Sequence, residues 1–121
     1  MSWRARLSTN MQELRFIMCT TSPNSGGVRS FLDSNYAELK KLNPRLPILM
    51  RTGEQAPPKV YARYDWGEER GFDLHNATEK EVEDRVRELT LMGEKMEKSF
   101  ESIPKDRDLI DESDVRKFDT Y

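Results

Sequence analysis

One stretch of this 121-residue chain restricts the fold more than any other: two short apolar runs stand on either side of an amphipathic segment. The first run, at residues 14–19, is nearly all apolar, as expected for a strand buried on both faces of a parallel sheet. Apolar residues then recur at three- and four-residue spacings over 28–42, which predicts a helix that ends before Pro44. The second run covers 48–50. A strand, a helix and a strand connected in this way give parallel strands with a right-handed crossover.

The second half of the chain predicts an antiparallel hairpin and a long helix. Apolar and polar residues alternate over 59–64 and again over 70–74, with a turn at 65–67 between them. A capping box at 78–81 marks the start of a helix, whose apolar stripe continues to just before Pro104. The stripe consists of Val82, Val86, Leu89, Met92, Met96 and Phe100.

Together these segments predict an α/β fold: a thioredoxin-like domain with a four-stranded mixed sheet and two main helices, in the order strand, helix, strand, strand, strand, helix. We assign this domain, with its extended C-terminal helix, to residues 13–103, since a chain of this length favours one domain. Residues 104–121 form a charged tail. Residues 1–12 contain Arg4 and Arg6 but no acid. They indicate either a flexible N-terminal segment or a short uncleaved mitochondrial targeting segment.

The composition excludes several classes of protein. Twenty Lys and Arg against 22 Asp and Glu give a net charge of −2 and a pI near 5.5, without the basic excess that a dedicated nucleic-acid-binding protein needs. No apolar run approaches the roughly 18 residues of a membrane-spanning helix. One cysteine and one histidine cannot make an internal disulfide or a Cys/His zinc site. We therefore expect no nucleic acid partner, no direct membrane span, no metal and no cofactor.

Cys19 is the candidate redox residue. It stands at the predicted end of the first strand, where thioredoxin-like proteins carry a redox Cys-x-x-Cys motif, and Pro58 stands in the position of the cis-proline that faces that motif. Ser22 replaces the resolving cysteine, so a dithiol cycle cannot operate within this chain. Two interpretations stay open: a monothiol reaction with glutathione, or a small buried apolar residue at a strand end. No combination of nucleophile, base and oxyanion donors predicts a catalytic site.

Two features are candidates for contact with a partner. Trp66 lies at the tip of the predicted hairpin, where an exposed aromatic residue often anchors a partner, although it can also fold back on the sheet. The helical stripe continues through Met92, Met96 and Phe100, farther than a sheet of five- or six-residue strands reaches. Either a partner surface or the apolar residues of the charged tail would cover that end of the helix.

The order of residues across much of the chain is similar to that of a known family. The matching residues are Ser22-Pro23, Gly27-Val28-Arg29, Phe31, Tyr36, Glu38-Leu39-Lys40-Lys41, Asn43-Pro44, Leu46-Pro47-Ile48-Leu49, Arg51, Pro58-Lys59, Ala62-Arg63-Tyr64, Gly67 and Glu69. Over residues 14–91 the chain resembles the small thioredoxin-like accessory subunit of mitochondrial NADH:ubiquinone oxidoreductase, respiratory complex I.

The resemblance implies a non-catalytic subunit that supports assembly and stability of the matrix arm near the NADH-oxidising module. Its partners would be other complex I subunits, first among them the large iron–sulfur subunit of that module. Its location would be peripheral, on the matrix side of the mitochondrial inner membrane. Some members of the family carry a second cysteine after the second strand that can pair with the residue matching Cys19. This chain has Thr52 and Gly53 there, which puts disulfide-based regulation in doubt.

Two alternatives belong to other classes of protein. Some thioredoxin-like mitochondrial ribosomal proteins share this superfamily, but they need cationic surfaces for RNA, and this chain is acidic overall. The enzyme alternative is a monothiol redox protein that uses Cys19, which is disfavoured because the chain has no second thiol.

Overall fold

The computed structural model describes residues 3–99, which form one four-stranded sheet with helices. The strands are β1 (Glu13–Met18), β2 (Ile48–Thr52), β3 (Lys59–Arg63) and β4 (Glu69–Asp73). The helices are α1 (Leu7–Asn10), α2 (Gly26–Leu42) and α3 (Glu79–Glu94). Short 3-10 turns cover Trp3–Arg6, Pro23–Ser25 and Asp65–Gly67. The predicted α/β class with a four-stranded mixed sheet is confirmed.

The strand order in the sheet is β2-β1-β3-β4, so β1 and β3 are central and β2 and β4 are edges. β1 runs parallel to β2, with Leu14 opposite Ile48, and antiparallel to β3, with Phe16 opposite Val60. β3 and β4 form the predicted antiparallel hairpin. Parallel neighbours need a long crossover connection, and α2 provides it between β1 and β2.

Both long helices pack on one face of the sheet. The ring centroids of Phe16 in β1 and Phe31 in α2 are 6.1 Å apart. The hydroxyl of Tyr64, just after β3, donates a 2.6 Å hydrogen bond to the carbonyl oxygen of Leu89 in α3. The fully buried residues of this layer include Leu14, Phe16, Val28, Phe31, Val60, Ala62, Val82, Val86 and Leu89. Burial of one such large apolar side chain contributes roughly 1.5–3 kcal/mol.

The opposite face of the sheet is partly exposed, so the prediction of a strand buried on both faces is wrong for β1. Burial alternates along the strand: Leu14 and Phe16 are buried, whereas Arg15 and Ile17 are partly exposed. The Arg15 guanidinium stacks over the ring of Tyr61 at 5.4 Å. The apolar run therefore reflects one covered face and one open face that carries a few apolar side chains.

Residues 3–12 are packed, in contrast to the flexible segment expected over residues 1–12. Leu7 is fully buried, and α1 lies against α3. Arg4 joins the two long helices, because its guanidinium contacts Glu38 of α2 at 3.2 Å and Glu83 of α3 at 2.8 Å. The arginine that suggested a targeting segment thus has a structural contact, and the targeting interpretation stays a prediction.

Helix α3 begins at the predicted capping box and ends earlier than predicted. The Thr78 hydroxyl accepts a hydrogen bond from the Glu81 N–H, and the Glu81 carboxylate accepts one from the Thr78 N–H. The last helical residue is Glu94, after which the chain turns and Met96 packs against the core. The predicted continuation is therefore wrong for the described residues. No helix between residues 3 and 99 is long and apolar enough to cross a membrane.

The early end of α3 accompanies a close approach to the N-terminal segment. A Cβ atom at Gly93 would lie 2.2 Å from the carbonyl oxygen of Asn10, so only glycine fits there without a shift. The Asn10 side chain donates a 2.9 Å hydrogen bond to the carbonyl oxygen of Thr90. The last turn of α3 is thus packed against residues of this protein.

Candidate functional site

Cys19 lies between the end of β1 and the turn that precedes α2, and it is 2% exposed. Its main-chain N–H donates to the Ser25 hydroxyl at 3.1 Å. The Arg29 guanidinium donates to the carbonyl oxygens of Cys19 at 2.7 Å and Ser22 at 2.9 Å. Helix α2 therefore fixes the loop at residues 19–22 through one side chain near its own N-terminus.

Hydrogen-bond donors surround the thiol of Cys19. The Ser22 N–H lies 3.4 Å from Sγ, and the Thr21 hydroxyl lies 3.6 Å from it. The main-chain N–H of Thr21 has the largest effect on the pKa of Cys19, followed by the Thr21 hydroxyl and the main-chain N–H groups of Ser22 and Gln55. These donors lower the pKa from 9.0 to about 6 against the opposing effect of burial, because they stabilise the thiolate. Cys19 is therefore mostly thiolate at neutral pH.

Pro58, the other redox candidate, lies directly before β3, and its position opposite Cys19 stays a prediction. It is buried, and no peptide bond within residues 3–99 is cis, so the expected cis-proline is replaced by a trans-proline. Its carbonyl oxygen accepts a 2.9 Å hydrogen bond from Leu74 at the end of the hairpin. The loop after β2 reaches the thiol through the main-chain N–H of Gln55. Sequence reasoning missed Gln55 because a main-chain donor leaves no signal in the residue type.

An open cavity of about 370 Å³ adjoins this loop. It is lined by Thr20, Thr21, Thr52, Gly53 and Glu54. Cys19 itself does not line the cavity. A thiolate forms a mixed disulfide when it attacks the disulfide of another molecule and displaces one of its sulfurs as a thiolate, but this chain has no second thiol to resolve the product. Across residues 3–99, no group of three or more His, Cys, Asp or Glu side chains is arranged to hold a metal ion.

Trp66 is 63% exposed in the turn between β3 and β4. Its φ is 65°, and that of Gly67 is 73°. A left-handed conformation is uncommon for a bulky residue and costs roughly 1–2 kcal/mol. The turn is closed by a 2.6 Å hydrogen bond from the Tyr64 N–H to the carbonyl oxygen of Glu68. Of the two alternatives that the sequence leaves open for Trp66, the structure has the exposed one, and its role in partner contact stays a prediction.

The helical candidates for partner contact differ in their positions. Met92 and Met96 are partly buried and pack against the protein's own core. Met96 also lines an open cavity of about 370 Å³, which brings it to the same surface as Trp66. Phe100 lies outside the described residues. The cavity is lined by Asp65, Trp66, Glu68, Arg70, Met96 and Glu97.

Asp65, which is buried, connects three parts of the chain at this surface. Its carboxylate accepts a 2.6 Å hydrogen bond from the Gln12 amide, just before β1. It also accepts hydrogen bonds from the main-chain N–H and the hydroxyl of Ser99, after α3. Sequence reasoning missed this role because an acid in a turn gives the same pattern whether its carboxylate faces solvent or partners from distant segments.

Comparison with known proteins gives consistent matches. Residues 28–79 match the family model described as "Mitochondrial ribosomal protein L51 / S25 / CI-B8 domain". An Arabidopsis thaliana protein, NADH dehydrogenase (ubiquinone) 1 alpha subcomplex subunit 2, is 42% identical over 93 residues, which are 77% of this chain and 96% of the relative. The Neurospora crassa NADH-ubiquinone oxidoreductase 10.5 kDa subunit is 39% identical over 89 residues, 74% of this chain and 95% of the relative. The Mus musculus alpha subcomplex subunit 2 is 44% identical over 72 residues, which are 60% of this chain and 73% of the relative.

Proposed function

Because this chain belongs to the family of alpha subcomplex subunit 2 of the NADH dehydrogenase (ubiquinone), respiratory complex I, we propose that it is an accessory subunit that supports assembly and stability of the matrix arm. The observation that carries this proposal is the extent of the similarity. Two relatives named as subunits of this enzyme match over 96% and 95% of their lengths. A similarity that spans nearly a whole relative favours the same role in the same assembly.

The family implies a mitochondrial protein whose partners are other complex I subunits. We propose a peripheral position on the matrix side of the inner membrane, against the large iron–sulfur subunit of the NADH-oxidising module. The exposed Trp66, beside Met96, supports contact of this surface with a neighbour, because large exposed aromatic residues are frequent at the centre of interfaces. We also assign the chain a thioredoxin-like fold, which is supported by its β2-β1-β3-β4 order and the α2 crossover.

We propose that the subunit is not catalytic. Cys19 is the one thiol of the chain, so oxidation to a disulfide would need a thiol from another molecule. A second candidate function, a monothiol redox protein, is favoured by one observation: the pKa of Cys19 is lowered to about 6. The two functions differ in what the thiol must do, since only the redox protein requires it for activity.

Blue-native electrophoresis of mitochondria from the organism that encodes this chain tests both candidates. We expect the chain to comigrate with complex I, and its depletion to lower the amount of assembled matrix arm. Re-expression of either the wild type or Cys19→Ser should restore that amount equally. Recovery mainly in the large mitochondrial ribosomal particle, with release at high salt, would contradict the proposal. Failure of Cys19→Ser, together with a glutathione-dependent reductase activity of the wild type, would favour the redox protein.

A further inference from the structure

The two edges of the sheet differ in their protection against pairing with another strand. In β4, three of the five residues are charged, namely Glu69, Arg70 and Asp73. The Arg85 guanidinium of α3 also lies 4.8 Å from the ring centroid of Phe72 in β4. Charged side chains of this kind are a common protection of an edge strand.

The β2 edge lacks this protection. Arg51 is the one charged residue among its five. Leu49 and Met50 are 41% and 43% exposed, on opposite faces of the strand. Exposed apolar residues on an unprotected edge are typical of a site where a further strand pairs.

The main chain of β2 has hydrogen-bonding groups that point away from the sheet. The Leu14 N–H donates to the Pro47 carbonyl oxygen at 3.0 Å, and the Gly53 N–H donates to the Met18 carbonyl oxygen at 3.2 Å. Pro47 and Gly53 therefore face β1. Main-chain groups alternate in direction along a strand, so the N–H and C=O groups of Ile48, Met50 and Thr52 face outward. Within residues 3–99 no strand pairs with that side.

An apolar groove adjoins the outward-facing groups. Met50 lies opposite Phe16, which puts its side chain on the helix-covered face of the sheet. Together with residues of α2 it lines an open groove of about 290 Å³. The groove is lined by Leu32, Asp33, Tyr36, Ala37 and Met50. An extended peptide beside β2 would thus find backbone partners and a site for one apolar side chain.

We propose that an extended segment of another subunit adds to β2 as a fifth strand, with an apolar side chain in the groove and an acidic side chain beside Arg51. Strand addition uses main-chain hydrogen bonds for affinity and pockets for alternate side chains for specificity. On the open face, Arg51 lines a depression with Arg15, whose guanidinium already contacts Glu69 at 2.9 Å. An acid on the added strand complements the charge of Arg51. The identity of the partner as another subunit rests on the proposed function.

A partner segment fits this edge better than a second copy of the chain. A five-residue strand is only about 17 Å long, so its edge buries much less than the roughly 800 Å² that each side of a stable interface buries. A strand edge alone is a small contact for two freely diffusing copies. A segment of a subunit that is held elsewhere in the same assembly binds at a high effective concentration, so a small contact suffices.

Hydrogen–deuterium exchange, resolved to single residues, tests the occupancy of the edge. We expect the main-chain amides of Met50 and Thr52 to exchange about tenfold slower in purified complex I than in the isolated full chain, because pairing protects them. Equal rates in both states would overturn the proposal. Slow exchange in the isolated chain would also overturn the proposal. Slow exchange that is independent of protein concentration would favour pairing with the chain's own C-terminal segment. Slow exchange that becomes more pronounced with concentration would favour pairing with a second copy.

Two substitutions probe the backbone and the charge separately. Met50→Pro removes a main-chain N–H that faces outward and leaves the hydrogen bonds to β1 in place. An edge strand accepts proline at such a position. Arg51→Glu reverses the charge and keeps the backbone. We expect each variant to enter complex I about fivefold less than the wild type, with the melting temperature of the isolated chain unchanged for Arg51→Glu. The matched control for the charge reversal is Arg87→Glu, at an exposed position of α3, which should enter normally.

The outcomes separate this proposal from the proposed function. A wild-type chain that does not comigrate with complex I would contradict the proposed function. If the wild-type chain comigrates, and Met50→Pro and Arg51→Glu enter complex I as well as the control Arg87→Glu, the strand addition is overturned and the proposed function stays in place.

Discussion

The carboxylate of Asp65 accepts hydrogen bonds from both the main-chain N–H and the hydroxyl of Ser99, 34 residues farther along the chain. Asp65 belongs to the turn that carries Trp66, and Ser99 follows the turn that carries Met96. The pairing therefore holds the segment after α3 beside the hairpin. The surface shared by Trp66 and Met96 depends on it.

Substitution of Asp65 by Ala should destabilise the protein by about 2–4 kcal/mol. The Ser99 groups and the Gln12 amide would lose a charged acceptor in a buried position, and unpaired buried donors are costly. Urea denaturation of the full chain measures the change. The control is Glu68→Ala, which removes an exposed carboxylate that pairs with Arg70 at 2.7 Å and should change stability by about 0.5 kcal/mol or less. Equal effects of the two substitutions would contradict the role of Asp65.

The buried position of Leu7 predicts that the N-terminal segment contributes to stability. Leu7→Ala should lower the free energy of unfolding by about 2–5 kcal/mol, because it removes buried apolar surface and leaves a cavity. Thr9→Ala, at an exposed position of the same short helix, is the matched control. A Leu7→Ala variant as stable as the control would indicate that residues 7–10 do not pack on α3 in solution.

A pH titration monitored by ultraviolet absorbance of the single thiol should show that the thiolate of Cys19 forms with a midpoint near 6. The pKa of Cys19 in the folded state lies below the ordinary value of 9.0. The contribution of the thiolate to the stability of the fold is therefore complete above pH 9 and is lost as the pH falls through 6. Thr21→Val removes a hydroxyl donor and should raise the midpoint. Thr20→Val, which leaves the donors named for the thiol intact, should not. A midpoint near 9 for the wild type would mean that the donors do not stabilise the thiolate.

Several elements follow from the sequence because their signals are local. The capping box of Thr78 and Glu81 depends on residues three apart, and it marks the start of α3 correctly. The alternation over residues 59–74 correctly predicts β3 and β4. The crossover of α2 follows from chain connection rules, which do not depend on details of packing.

Other features depend on contacts between distant segments, which residue patterns do not contain. The apolar stripe of α3 continues past Glu94, yet the helix ends there and Met96 packs against the core after a turn. The burial of Leu7 needs the surface of α3, which is formed far along the chain. At the candidate site, the position of Cys19 after β1 was predictable. The choice between an exposed and a folded-back Trp66 was not, and neither was the main-chain donor at Gln55.

Trp66→Gly separates a partner contact from a structural role, because it should reduce entry into complex I without lowering the melting temperature of the isolated chain. At a φ of 65°, glycine avoids the roughly 1–2 kcal/mol that a bulky side chain costs in this conformation. The side chain is 63% exposed, so its removal loses little burial. We therefore expect the isolated variant to melt at the wild-type temperature or higher, since the strain relieved is comparable to the roughly 1 kcal/mol of extra unfolded-state entropy that glycine brings. If Trp66 anchors a partner, blue-native gels should show entry into complex I reduced by roughly tenfold or more. Leu91→Ala, at an exposed apolar position of α3, is the matched control and should enter normally. A Trp66→Gly variant that melts no lower and enters complex I like the control would contradict the partner-contact role of this surface.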